Sequence, residues 1–179
     1  MLDAKLVGDL ITATRGLLGL AIVWLGLTQG EAALPIVVAL MLLDWTGDFV
    51  DGGIARLSRN PRRTLVGDSD IYIDLLVSIC LGIYLIAAGL VGRAVGLGYL
   101  LSWLLILWRF GQNRNLLMLM QAPIYLWFML TALQLIPELG KWLVFWVLVA
   151  TAINWRRFSR EIVPKFIDGM RSLWQGRHT

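Results

Sequence analysis

Six long apolar runs, set apart by short polar breaks, take up most of this 179-residue chain. They fall at roughly 7–28, 33–52, 68–91, 94–110, 115–135 and 138–155. Runs of about 18 to 24 apolar residues are long enough to cross the roughly 30 Å hydrocarbon core of a bilayer as helices. The chain is 58% hydrophobic with a mean hydropathy of +0.72, whereas a soluble domain is about 45–50% apolar. A soluble all-α protein would carry polar faces along most of its helices, and these runs show few. The expected fold is therefore an all-α integral membrane protein with six transmembrane helices over 1–155, followed by a tail over 156–179.

Lys and Arg counts set the expected orientation. With six spans, one side of the membrane holds the N-terminus, the 56–67 loop, the 110–115 loop and the tail. That side carries thirteen of the sixteen basic residues, among them Arg56, Arg59, Arg62, Arg63, Arg109 and Arg114; the other carries only Arg93 and Lys141. Both chain ends are thus expected in the cytoplasm. The net charge of +4 reads as membrane topology, and no nucleic-acid partner is expected. The first run contains Arg15 and lacks the short apolar core and small-residue cleavage site of a secretory signal. In the tail, Phe158, Ile162, Phe166, Met170 and Trp174 recur every four residues among Arg157, Arg160, Lys165 and Arg171. This is the pattern of an amphipathic helix lying on an anionic leaflet, and Pro164 is expected to kink it. Trp108, Trp142 and Trp155 fall near run ends, where an aromatic belt is expected.

The chemistry is concentrated where the second run ends and the third begins. Asp44, Asp48 and Asp51 stand at i, i+4 and i+7, on one face of a helix. Asp70 and Asp74 share a face of the next. A connecting loop of about ten residues lets neighbouring antiparallel helices bring Asp48, Asp51, Asp70 and Asp74 together at the cytoplasmic boundary. Carboxylates so close to hydrocarbon are costly and mark a task. With no matching cations inside these two runs, they call for metal ions. His178 is the single histidine and Cys80 the single cysteine, so the donors are oxygen only. That suits Mg²⁺, Mn²⁺ or Ca²⁺ rather than zinc, and four carboxylates can hold two such ions. Asp44 lies one turn deeper, either orienting a ligand or bonding a neighbouring helix as a protonated acid. Asp68 reads as a helix cap.

These residues resemble the CDP-alcohol phosphatidyltransferases. That family's motif has two aspartates separated by two residues, then Gly, two residues and Ala-Arg. A spacer of about eight, Gly, three residues, Asp, three residues and Asp follow. Here Asp48-Phe49-Val50-Asp51-Gly52-Gly53-Ile54-Ala55-Arg56 fits the first half and Asp70-Ile71-Tyr72-Ile73-Asp74 the last part. Leu10-Ile11-Thr12-Ala13-Thr14-Arg15 is similar to the family's N-terminal Leu-Thr-x-x-Arg element. One departure stands out. Thirteen residues separate Arg56 from Asp70 in place of twelve, and Gly67 precedes Asp70 by three positions in place of four.

The resemblance implies a metal-dependent enzyme of phospholipid biosynthesis, with 1–155 as its catalytic domain. It would transfer a phosphatidyl or similar group from a CDP-linked lipid, such as CDP-diacylglycerol, to an alcohol, releasing CMP. By position, Asp48, Asp51, Asp70 and Asp74 would hold two Mg²⁺ or Mn²⁺ ions, with Asp74 a ligand or the base for the attacking hydroxyl. Gly52 and Ala55 would leave room for the cytidine, beside Gly67. Arg56 would pair with a site carboxylate or a donor phosphate, and Arg15 would lie near the donor phosphates; its alternative is snorkelling to the interface. A homodimer in contact with membrane lipids, its active site facing the cytoplasm, is also implied. Arg109 and Arg114 are the weaker candidates for an acceptor site, and the number of arginines at that mouth favours a phosphorylated acceptor such as glycerol 3-phosphate, with a small alcohol or a sugar phosphate the wider class. The competing class is a divalent-cation transporter built on the same intramembrane aspartates. Against it, the four carboxylates gather at one end of the runs and no inverted repeat is visible.

Overall fold

The computed structural model describes the backbone of residues 4–57, 70–111 and 113–174, and the side chains of residues 13–50, 72–111 and 113–171. The described residues are helical almost throughout and include no strand. Six long helices come first: α1 (Ala4–Gln29), α2 (Leu34–Leu57), α3 (Asp70–Ala87), α4 (Arg93–Phe110), α5 (Arg114–Leu135) and α6 (Pro137–Ile153). The single turn α7 (Trp155–Arg157), a wide π-type turn (Phe158–Ile162) and α8 (Val163–Trp174) follow.

Local chemistry explains where the long helices stop. Gly30 takes a φ of +61° and opens a tight 3-10 turn, Gly30–Ala33, between α1 and α2. The turn reverses the chain, because Arg15 reaches Asp44, 29 positions on; a straight helix would separate them by about 43 Å. Gly89, at φ +75°, ends α3. The Leu90 N–H then returns to the Leu85 carbonyl at 2.9 Å, as helices closed by a left-handed glycine do. Asn113 caps α5 by accepting the Asn115 N–H at 2.9 Å, and Pro137 opens α6 at a position that needs no N–H donor.

One expectation shifts. The second helix does not stop at Gly52 but continues to Leu57. Pro164 sits in the first turn of α8, where proline is tolerated, and the irregularity of the tail lies just before it. Proline cannot donate to the carbonyl four residues back, at Arg160, and Arg160 belongs to the wide turn.

Among the described residues, three stretches are long and apolar enough to cross a membrane: Ala13–Val50, which contains the reversal at Gly30, Arg93–Phe110 and Arg114–Leu135. Many large apolar side chains also face outward. Leu27 is 70% and Trp108 83% exposed, and Trp142 and Trp155 are also exposed. Helices apolar on both their buried and outward faces belong in lipid. The fold is that of an all-helical membrane protein.

The core lies where α1, α2, α3 and α5 meet, built on Ile22, Val38, Met41, Leu81, Tyr84 and Phe128. α1 packs most extensively against α3, and the two run parallel: Gly19 faces Val77 and Cys80, and Gly26 faces Tyr84. Without a hydrophobic drive between helices in lipid, small residues let backbones approach for dispersion contact. A Cβ on Gly26 would lie 2.9 Å from Tyr84 Cδ2 and 3.1 Å from Tyr84 Cα. Because the second is backbone, a side-chain adjustment cannot relieve it. Gly26→Val is expected to destabilise the fold by about 1–3 kcal/mol through overpacking. Thermal unfolding in detergent measures this, and an unchanged midpoint would contradict so close an approach of α1 to α3.

Candidate functional site

The α1–α3 packing that Gly19 and Gly26 allow also carries Arg15 inward to the side of α2 and α3. Arg15 is 3% exposed, and carboxylates engage all three guanidinium nitrogens. Nε donates to Asp44 Oδ1 at 2.9 Å and Nη1 to Asp48 Oδ1 at 3.1 Å, both on α2. Nη2 donates to Asp74 Oδ1, on α3. One cation from the first helix thus ties together acids from the next two. A guanidinium presents its donors in a fixed planar fork, so it sets where those oxygens sit as well as offsetting their charge.

Burial grades across the cluster. Asp44 is 1% exposed, while the side chains of Asp48 and Asp74 are 49% and 29% exposed. Arg15 and Asp44 therefore form a fully buried ion pair at the base, and Asp48 and Asp74 form its open rim. Among the described side chains, three carboxylates share one guanidinium, a formal sum of −2. A surplus of negative charge at the edge of an apolar bundle is costly unless a further cation or a polar ligand offsets it.

Aromatic contacts fix the rotation of α2 that aims these acids. Trp45, next to Asp44, meets Tyr125 of α5 edge-on at 5.6 Å and Trp146 of α6 at 5.7 Å. Trp146 Nε1 also donates to Thr46 Oγ1 at 3.1 Å, and Phe49 lies edge-on to Trp146. With Trp45, Thr46 and Phe49 held by α5 and α6, α2 turns Asp44 and Asp48 toward Arg15. Gln121, one turn before Tyr125 on α5, is buried, and its Nε2 has no hydrogen-bond partner among the described residues.

Of the residues expected to form a site, the structure brings Arg15, Asp48 and Asp74 into direct contact. Asp51, Gly52, Ala55 and Arg56 lie in the last two turns of α2, and Asp70 opens α3; their side chains, and Gly67 and Asp68 altogether, are outside the described residues. Arg109 and Arg114 flank the short α4–α5 connection and are exposed. Neither joins the cluster through an ion pair among the described residues, and the Arg109 guanidinium lies over the Phe110 ring at 5.3 Å. Among the described residues no group of three or more acidic, His or Cys side chains is arranged to hold a metal ion, a set that omits Asp51 and Asp70.

Two features go beyond the sequence pattern. The two acid-bearing runs hold no matching cation, and the cation comes from the first run. Asp44 alone is compatible with an orienting role or with a protonated acid bonded to a neighbouring helix. In the structure Asp44 accepts from a guanidinium on that neighbour. The i, i+4 spacing of Asp44 and Asp48 was the available signal for a shared partner.

No protein-family model matches this chain, and no curated protein and no solved structure matches it.

Proposed function

We propose that this protein is a CDP-alcohol phosphatidyltransferase. It transfers the phosphatidyl group of a CDP-linked lipid to an alcohol, releases CMP, and depends on Mg²⁺ or Mn²⁺. The observation that carries the reading is the meeting of Asp48 and Asp74. They come from the two halves of the spaced aspartate motif, yet both accept from one guanidinium. The donor set fits divalent cations: it is oxygen only, partly exposed and, among the described side chains, carries more negative charge than Arg15 offsets. Asp51 follows Asp48 by one turn in α2, and Asp70 precedes Asp74 by one turn in α3, so all four belong to one end of the same helix pair.

In this reading Asp48, Asp51, Asp70 and Asp74 hold two ions. Ions held there would supply positive charge for the phosphate oxygens and for the departing oxygen. Asp74 accepts the proton of the acceptor hydroxyl. The hydroxyl oxygen forms a bond to the lipid-side phosphorus, the bond from that phosphorus to the bridging oxygen breaks, and the bridging oxygen leaves with CMP. Gly52 and Ala55, with Gly67, leave space for the cytidine, and Arg56 binds a site carboxylate or a donor phosphate. Arg15, bonded to these carboxylates, lies near the donor phosphates and helps bind the donor. Arg109 and Arg114 receive the acceptor, with glycerol 3-phosphate the favoured candidate.

The surrounding architecture in this proposal has six spans, α1 to α6. Both chain ends and the aspartates face the cytoplasm, supported by the thirteen-to-two partition of Lys and Arg. The tail helix α8 lies on the inner leaflet, and the protein acts as a homodimer. The direct test is CMP release by purified protein from CDP-diacylglycerol, with Mg²⁺ or Mn²⁺ and a panel of alcohols. CMP that appears only with both metal and acceptor is the expected result, and chelation should abolish it. Folded protein that releases no CMP with any acceptor, or that carries Mn²⁺ into liposomes, would overturn the proposal.

A further inference from the structure

The aspartate pattern on which the proposed function rests does not include Asp44, yet Asp44 is the most deeply buried acid described here and the one bonded to Arg15 Nε. We infer that Asp44 is a positioning residue that occupies the charge of Arg15, so that Asp48 and Asp74 keep theirs for a divalent cation. The inference rests on the metal-site reading of Asp48 and Asp74.

The problem it solves is electrostatic. Arg15 is within hydrogen-bond reach of both rim carboxylates. A guanidinium there competes directly with a metal ion for the same oxygens. It cannot relieve the conflict by losing its proton, because arginine stays charged in proteins. Asp44 resolves the conflict by its location. It is at the base of the cluster, 1% exposed against 3% for Arg15, where an ion pair is least screened by solvent. Arg15 and Asp44 together are formally neutral, so the charge of Arg15 is met at the base. With Asp44 neutralised, that charge would fall on the other carboxylates Arg15 touches, Asp48 and Asp74 among them.

The experiment is a Mn²⁺ titration of purified full-length protein in detergent, followed by the EPR signal of free Mn²⁺, with no nucleotide or lipid substrate present. Three variants are compared with the wild type: Asp44→Asn, Asp44→Glu, and the double variant Arg15→Gln/Asp44→Asn. Asp44→Asn should raise the Mn²⁺ dissociation constant by about tenfold, equivalent to about 1.4 kcal/mol. Asp44→Glu, which keeps the charge, should stay near the wild-type value. The double variant should regain wild-type affinity or exceed it, since the competing cation is gone. A merely structural role for Asp44 gives a different result, because the affinities of the three variants would then follow their melting temperatures, read on the same samples. The double variant also keeps the inference testable if Asp44→Asn alone folds poorly, because it leaves no uncompensated charge in the core. Unchanged affinity in Asp44→Asn, or no recovery in the double variant, would overturn the inference while leaving the proposed metal site standing. Wild-type protein that binds no Mn²⁺ would overturn both.

Discussion

Arg15→Ala is expected to cost the folded protein about 3–5 kcal/mol, the penalty for removing one partner of a buried ion pair and leaving the other charge uncompensated. The loss falls on Asp44, which is 1% exposed and has its Oδ1 on Arg15 Nε. It falls next on the mutual repulsion of Asp44, Asp48 and Asp74, which share that guanidinium. Thermal unfolding in detergent should show a drop on the order of 10 °C. Arg15→Leu/Asp44→Leu should recover much of that stability, since an apolar pair of similar volume is often tolerated where one orphaned charge is not. Arg15→Lys should fall between them, keeping the charge but lacking the fork that reaches three acids at once. An Arg15→Ala protein as stable as the wild type would mean that the guanidinium does not organise the helices at this end of the bundle.

The second large effect is on turnover. Asp74→Asn is expected to lower CMP release by at least about 10²–10⁴-fold, the range associated with losing a positioned base. Asp48→Asn should be comparably damaging through loss of a cation ligand. Both rim side chains are partly exposed, and asparagine has nearly the same shape as aspartate. Expression and melting temperature should therefore change far less than in Arg15→Ala. That separation is the informative part: base variants of the cluster lose the fold, and rim variants lose the chemistry. Substantial turnover in either rim variant would remove it from the proposed site.

The helices were legible in the sequence because their physical causes are local. Apolar runs of the right length mark five of the six long helices within a few residues at each end, and Gly30, Gly89 and Gly111 mark turns with positive φ. The end of α2 was misread because Gly52-Gly53 looks like a stop. The neighbouring Ile54, Ala55 and Arg56 carry the helix on to Leu57, and a glycine pair costs only about 1–2 kcal/mol against alanine. The expected end of α3 at residue 91 overshot for the opposite reason. Ala88-Gly89 already holds the closing signal, and the helix stops at Ala87.

The site was legible only in part. The spacing of Asp48 and Asp74 named the two acids, and the Leu-Thr-x-x-Arg element singled out Arg15. What the sequence could not supply was that one guanidinium joins them. That depends on the parallel packing of α1 against α3, which Gly19 and Gly26 permit, and on the aromatic grip of Trp45 and Trp146 that sets the rotation of α2. Such contacts join residues up to 100 positions apart, beyond the reach of any periodicity. Asp44 was undervalued for the same reason, since its partner lies on a different helix.

The account stands or falls on whether the acids of α2 and α3 share a divalent cation. Crystals grown with Mn²⁺ and a CDP-linked lipid, measured near the manganese absorption edge, address this directly. The account predicts anomalous density between α2 and α3 that touches oxygens of both Asp48 and Asp74 at about 2.1 Å, the distance of a small hard divalent ion, with the pyrophosphate alongside. Anomalous density remote from those two carboxylates, with Arg15 still bonded to both in the presence of bound nucleotide, would contradict it.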